Sequence, residues 1–149
     1  MAAENIECGA WSTTSEGSLM NTQQSANKMP RAFIVDDDED SLAIISYLFE
    51  SAEVDVVRVI ESTKAIDEFK ANAASGGDFD LVALDIRMPN IDGNELARQI
   101  RQTGYRGPII ALTANASGGG RRVSKASGFD YYFGKVEVTK NLVLGLLQK

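Results

Sequence analysis

At Arg31-Ala32-Phe33-Ile34-Val35-Asp36-Asp37-Asp38 an apolar segment runs directly into three carboxylates. A second apolar segment, Leu81-Val82-Ala83-Leu84, ends on the single acid Asp85. Short apolar runs of this length, bounded by polar residues, are typical of strands buried on both faces. The acids therefore gather where two predicted strands end.

Two further runs end on chemically active side chains. Pro108-Ile109-Ile110-Ala111-Leu112 leads to Thr113, and Asp130-Tyr131-Tyr132-Phe133-Gly134 leads to Lys135. Clustered carboxylates repel one another unless a hard cation lies between them, and oxygen ligands without His or Cys suit magnesium. Together the four strand ends indicate a magnesium-assisted phosphoryl site with Asp85 as the nucleophile on phosphorus. Lys135 and Thr113 would then each hold one phosphoryl oxygen.

The spacing of apolar residues predicts how these segments are arranged. Strand-like runs alternate with amphipathic helical patterns five times from Arg31 onward, and the strands are predicted at residues 31–35, 54–59, 80–84, 108–112 and 130–133. Near-continuous apolar strands separated by helices predict a doubly wound α/β fold, a five-stranded parallel sheet with helices on both faces. Right-handed crossovers place all strand carboxyl ends at one edge of such a sheet, where ligands bind.

The helix boundaries are marked by polar residues. Ser62, Asp92 and Thr139 are predicted to cap three of the helices at their amino ends. The helix predicted over 117–127 is the weakest, because each residue of Gly118-Gly119-Gly120 costs roughly 1 kcal/mol relative to alanine.

Composition excludes several classes of function. The 149 residues suffice for one domain, and the formal net charge of -6 argues against nucleic acid or an anionic membrane as a partner. Cys8 is the sole cysteine, so an internal disulfide or a multi-cysteine zinc site is excluded. The chain has no histidine, which excludes Ser-His-Asp catalysis, His-ligated metals and a role as histidine phosphodonor.

The first 29 residues are rich in Ser, Thr, Asn, Gln and Ala, and they predict a disordered amino-terminal tail before a domain at residues 30–149. They lack the basic start and apolar core of a signal peptide, and no apolar run approaches the ~20 residues of a membrane span. We therefore expect a cytoplasmic protein that does not cross a membrane.

Residues 31–149 resemble the receiver domain of two-component response regulators. The family's paired acids match Asp36-Asp37, its phosphoacceptor matches Asp85 within Leu84–Pro89, and the loop that follows matches Ile91-Asp92-Gly93. The strand that ends in the family's conformational threonine matches Ala111-Leu112-Thr113-Ala114, and the family's lysine matches Lys135.

The resemblance implies a flavodoxin-like strand order of 2-1-3-4-5 and a phosphoacceptor signalling domain rather than a classical enzyme. Asp85 would accept a phosphoryl group from a histidine kinase or a histidine phosphotransfer protein. By the same resemblance, Mg²⁺ is ligated directly by Asp37 and Asp85, through water by Asp36, and by the backbone carbonyl of Arg87. Thr113 and Tyr132 would move together as the conformational switch.

Two further features of the sequence bear on function and partners. Val136 stands where the family usually has proline after the lysine, which keeps open an alternative, a protein-interaction module that works without phosphorylation. The last helix, Leu142–Leu147, is apolar nearly all round, which indicates a face covered by a partner or by a second copy, as in a homodimer through the fourth helix, fifth strand and fifth helix. Because no output domain follows Lys149, we expect either a single-domain receiver or the receiver fragment of a hybrid histidine kinase.

Three rival sites fit the sequence poorly. An EF-hand starting at Asp36 would have Ser41 in place of its glycine and Tyr47 in place of its glutamate. A phosphatase of the haloacid dehalogenase type requires a second aspartate two residues after the nucleophile, where this chain has Arg87. A P-loop is excluded because the glycine triple lacks the Lys-Ser/Thr that must follow.

Overall fold

The computed structural model describes residues 29–114 and 127–148, which form a five-stranded parallel sheet with helices on both faces. The strand order is β2-β1-β3-β4-β5, so the predicted doubly wound fold and its order 2-1-3-4-5 are confirmed. The strands are β1 (Arg31–Val35), β2 (Asp55–Val59), β3 (Leu81–Asp85), β4 (Ile109–Thr113) and β5 (Tyr131–Gly134).

Four α-helices and one short 3₁₀ turn lie within the described residues, and three of the helices connect strands. The helices are α1 (Glu39–Ser51), α2 (Ser62–Gly76), α3 (Gly93–Gln102) and α4 (Lys140–Leu147), and the 3₁₀ turn is Lys135–Glu137. None of these helices is long and apolar enough to cross a membrane. The predicted tail, apart from Met29, and the predicted helix over 117–127, apart from Ser127, lie outside the described residues.

The sheet separates two apolar cores because alternate residues of each strand point to opposite faces. On one face Phe33, Val82 and Ile109 pack against α2 and α3, and a cluster of Phe33, Phe69 and Phe79 rings lies at its centre. On the other face lie Ile34, Ala83 and Ile110, which pack against α1 and α4.

The strand ends differ slightly from the prediction. β3 and β4 each extend one residue further than expected, so Asp85 and Thr113 are the last residues of their strands rather than the first residues after them. Ladder hydrogen bonds reach that far because Asp85 lies opposite Leu112, and Thr113 lies opposite Gly134. The two side chains are consequently held by the sheet itself.

Two of the three predicted helix caps are confirmed. The side chain of Asp92 accepts a hydrogen bond from the backbone N–H of Glu95, and that of Thr139 accepts one from Leu142. The prediction that Ser62 caps a helix was wrong. Ser62 is the first residue of α2, and its hydroxyl donates instead to the carbonyl of Pro89, 2.7 Å away.

The apolar carboxyl-terminal helix uses most of its leucines inside the domain. Val143 and Leu146 are buried, and Leu142, Leu144 and Leu147 are half-buried against the same core. The apolar surface that α4 leaves uncovered is therefore smaller than its sequence indicates.

Candidate functional site

The three consecutive acids after β1 have different surroundings. Asp36 is buried at 1% exposure, whereas Asp37 and Asp38 are exposed. The carboxylate of Asp38 accepts a hydrogen bond from Ser41 in the first turn of α1. This bond holds the pKa of Asp38 below its usual value.

Asp85 meets two of these acids at the carboxyl edge of the sheet. A carboxylate oxygen from each of Asp36, Asp37 and Asp85 lies within 4.8 Å of the others. Asp85 itself is 6% exposed at the end of β3, the central strand of the sheet. The structure thus brings together the pair 36 and 37, with Asp38 outside the cluster.

Lys135 supplies the positive charge of the cluster. Its ammonium lies 2.9 Å from Oδ2 of Asp36 and 3.5 Å from Oδ2 of Asp85. It reaches them from the 3₁₀ turn after β5, which is held by a 2.6 Å hydrogen bond from the backbone N–H of Gly134 to Glu137. Val136 points outward at 93% exposure, and no peptide bond in the described part of the chain is cis.

Thr113 and Tyr132 lie on neighbouring strands beside the cluster. Thr113 is buried at the end of β4, one position beyond the partner of Asp85 in the parallel register. Tyr132 is half-buried and packs against the core on the α2 and α3 face. In the register of β4 and β5, Thr113 lies opposite Gly134 and Tyr132 lies opposite Ala111.

Crowding of the carboxylates changes their acidity. Burial, reinforced by the negative charge of Asp36, raises the pKa of Asp85 to about 7, although Lys135 opposes the shift. Burial alone would lower the pKa of Lys135, but the hydrogen bond and charge of Asp36, together with the charge of Asp85, raise it. Asp36 and Asp85 thus favour the charged form of the lysine.

The donor set fits a hard divalent cation. Asp36, Asp37 and Asp85 offer only oxygen, and Lys135 leaves two of their three negative charges uncompensated. Oδ2 of Asp36 is buried, and the ammonium of Lys135 lies 2.9 Å from it. Carboxylate oxygens are typical protein ligands of Mg²⁺.

Sequence reasoning missed two contacts near the site, one in the loop between β3 and α3 and one in the 3₁₀ turn after β5. Gly93 packs so closely that a Cβ there would overlap the carbonyl oxygen of Asp85, and its N–H donates to the carbonyl of Ile86. The signal for Gly93 was its place in Ile91-Asp92-Gly93, but only the folded chain shows the contact. Glu137 could have been found from its position three residues after Gly134, a spacing typical of helix starts.

Comparisons with known proteins agree with this geometry. The profile of the response regulator receiver domain matches residues 32–144. Sensor histidine kinase GacS of Pseudomonas protegens is 35% identical over 115 residues, which are 74% of this chain and 12% of that kinase. Transcription factor prr1 of Schizosaccharomyces pombe is 32% identical over 108 residues, 72% of this chain and 19% of the factor. The chain therefore spans a small part of the length of these relatives.

Solved structures give the same result. The receiver domain of sensor histidine kinase PA1611 from Pseudomonas aeruginosa, with a magnesium ion coordinated in its active-site cleft, aligns with a TM-score of 0.69 and 28% identity, covering 81% of this chain and 96% of that one. Chemotaxis protein CheY4 of Vibrio cholerae shares the fold at a TM-score of 0.68 and 24% identity, covering 81% of this chain and 98% of that one. The fold, the acidic edge and the profile over residues 32–144 agree, so this chain belongs to the response regulator receiver domain family of two-component signalling, whose members are phosphoacceptor signalling domains rather than classical enzymes.

Proposed function

We propose that Asp85 is the phosphoacceptor of this receiver and that the reaction depends on Mg²⁺. The observation that carries the proposal is the convergence of Asp36, Asp37 and Asp85 with the ammonium of Lys135 at the end of the central strand. A buried carboxylate beside a fixed cation is suited to attack phosphorus, because positioning and charge stabilisation supply most of the catalysis in phosphoryl transfer.

The transfer itself is a displacement at phosphorus. An oxygen of ionised Asp85 forms a bond to phosphorus as the bond from phosphorus to the donor breaks, and the donor departs with that electron pair. Lys135 holds one phosphoryl oxygen, and the hydroxyl of Thr113 donates to another. Because the pKa of Asp85 is raised to about 7, the attacking form is depleted near neutral pH without a cation.

The metal site is proposed on Asp36, Asp37 and Asp85, with the backbone carbonyl of Arg87 as a further ligand. Bound Mg²⁺ would favour the ionised form of Asp85 and offset the negative charge that an incoming phosphoryl group meets. The similarity to the magnesium-containing PA1611 receiver domain supports this assignment.

We infer that the phosphoryl donor is a histidine kinase or a histidine phosphotransfer protein, since this chain has no histidine of its own. Similarity to receiver segments of sensor kinases supports the alternative that the sequence is part of a hybrid kinase. Val136 in place of proline does not argue against phosphorylation, because Lys135 still contacts both Asp36 and Asp85.

The switch would join Thr113 to Tyr132 and then to the face around β5 and α4. A homodimer through this face is proposed on the half-buried Leu147. Beryllofluoride with magnesium should increase association in sedimentation, and Thr113→Ala should reduce the increase. A monomer in both states would contradict the dimer.

Incubation with acetyl phosphate and magnesium, followed by intact-mass measurement, tests the phosphoacceptor. The wild-type chain should gain one phosphoryl mass that is lost in alkali, and Asp85→Asn should gain none. Omission of magnesium should suppress the gain. Phosphorylation of Asp85→Asn to the wild-type extent would overturn the assignment.

A further inference from the structure

The loop that links the phosphoacceptor strand to α3 is held from outside by α2. Its middle residue, Pro89, presents a carbonyl that accepts two hydrogen bonds, one from the N–H of Ile91 at 2.9 Å and one from the hydroxyl of Ser62 at 2.7 Å. Ser62 is 4% exposed, so water has little access to its hydroxyl. The bond therefore joins two elements 27 residues apart in sequence.

The direction of the Ser62 hydroxyl is unusual for its position. Serine near the start of a helix commonly accepts a hydrogen bond from the helix's own N–H groups. Here the residue before α2, Glu61, makes no side-chain cap, and Ser62 still donates across to the loop. The hydroxyl thus contributes to the loop rather than to the exposed N–H groups of α2.

Other contacts also restrict the movement of this loop. At one end, Gly93 is pressed against the carbonyl of Asp85 and bonded to Ile86. Met88 is buried in the core between the sheet and α2 and α3, whereas Arg87 is exposed. Between the fixed Asp85 and the anchored Met88 and Pro89, the peptide planes around Arg87 have little freedom.

We propose that Ser62 is a positioning residue for the metal site, acting through Pro89 on the backbone carbonyl of Arg87. This inference rests on the proposed function, in which that carbonyl is a ligand of Mg²⁺. Removal of the hydroxyl leaves the Pro89 carbonyl with one partner and allows the loop to rotate away from the acids. The proline ring transmits the movement because its φ angle is fixed.

Calorimetric titration of the full chain with MgCl₂ tests the role of Ser62 directly. Ser62→Ala should raise the dissociation constant about tenfold, as is typical when a group that orients a metal ligand is lost. Ser62→Thr retains the hydroxyl and should stay close to the wild-type constant. Thermal melting in EDTA measures folding separately from metal binding.

Ser51→Ala is the matched control. Ser51 also donates from its hydroxyl to a backbone carbonyl, that of Leu48, at 2.7 Å, but at the far end of α1. It should lower stability in EDTA about as much as Ser62→Ala and leave the magnesium constant unchanged. An unchanged constant in Ser62→Ala, or an equal rise in Ser51→Ala, overturns the positioning role. Absence of magnesium binding by the wild-type chain would instead overturn the proposed metal site.

Discussion

The two edges of the sheet differ in how their charged side chains are paired. At the amino edge, the guanidinium of Arg101 donates to the carbonyls of Tyr105, Gly107 and Gly128 and to the carboxylate of Asp130 at 2.7 Å. At the carboxyl edge, three carboxylates lie together, and the ammonium of Lys135 pairs with two of them, Asp36 and Asp85. The first arrangement satisfies one cation completely, and the second leaves anions in excess.

This difference separates a structural role from a chemical one. Arg101 ties the end of α3 to the turns that enter β4 and β5, so its bonds contribute to folding whether or not a ligand is present. The acids at the carboxyl edge repel one another until a cation binds. This repulsion lowers the stability of the metal-free protein and favours binding of a cation. Four predictions test this contrast, and they are given in order of decreasing effect.

Lys135→Met should have the largest effect on chemistry. Loss of the cation that contacts a transferred phosphoryl group should slow phosphorylation by acetyl phosphate about 100-fold or more. Intact-mass measurement over time gives the rate. Lys64→Met is the control, because Lys64 is exposed and pairs with Glu61 at the start of α2. A rate within a few-fold of wild type for Lys135→Met would contradict its role.

Arg101→Met should have the largest effect on folding. The variant leaves three carbonyls and Asp130 without their shared donor, and we expect a loss of about 2–3 kcal/mol in the free energy of unfolding. Urea denaturation with and without magnesium should give the same loss. Arg98→Met, which breaks a more exposed pair with Glu95, should cost less than about 1 kcal/mol. A raised magnesium dissociation constant in Arg101→Met would show that the two edges are not independent.

The adjacent acids Asp37 and Asp38 sharpen the boundary of the charged cluster. Asp37→Ala should weaken magnesium binding about tenfold or more, because a direct ligand is lost. Asp38→Ala removes an acid that bonds to Ser41 instead and should leave the constant almost unchanged. Titration calorimetry compares them, and equal losses would mean that Asp38 also serves the metal.

Asp85→Asn should stabilise the metal-free protein at high pH. Burial raises the pKa of Asp85 to about 7 from 3.8, so the folded state binds this proton more tightly than the unfolded state. The wild-type chain therefore loses stability as the pH rises from about 4 to about 7, a loss that asparagine does not suffer.

In EDTA, the midpoint of thermal unfolding of Asp85→Asn should exceed that of wild type by about 5 °C at pH 8, and the two should converge toward pH 4. Asp67→Asn removes the same charge from the exposed surface of α2 and should show no such trend. A stabilisation that is constant from pH 4 to pH 8 would assign the effect to something other than the proton on Asp85.

The sequence was sufficient to predict the parallel sheet and the convergence of its strand ends at one edge. Parallel topology alone brings Asp36, Asp85, Thr113 and Lys135 to one edge, since each ends or follows a strand of the same direction. The register of the acids was also predictable, because Asp36 is the first residue after Val35.

Contacts that depend on packing were not predictable. Ser62 has two uses for its hydroxyl, as a cap or as a donor to Pro89, and the local sequence favours the first. The choice depends on where the loop after β3 lies, which is set by Met88 and Gly93. Likewise, the leucines of α4 look uncovered in the sequence, but Leu144 and Leu147 reach the edge of the core.

Identification of the modified residue shows which carboxylate of the crowded cluster receives the phosphoryl group. Borohydride reduction of the chain after treatment with acetyl phosphate and magnesium converts an aspartyl phosphate to homoserine, which peptide mass spectrometry can place. We expect homoserine at position 85 and unmodified aspartate at positions 36, 37 and 38. Homoserine at any of those three positions, with Asp85 intact, would contradict the assignment of Asp85 as the phosphoacceptor.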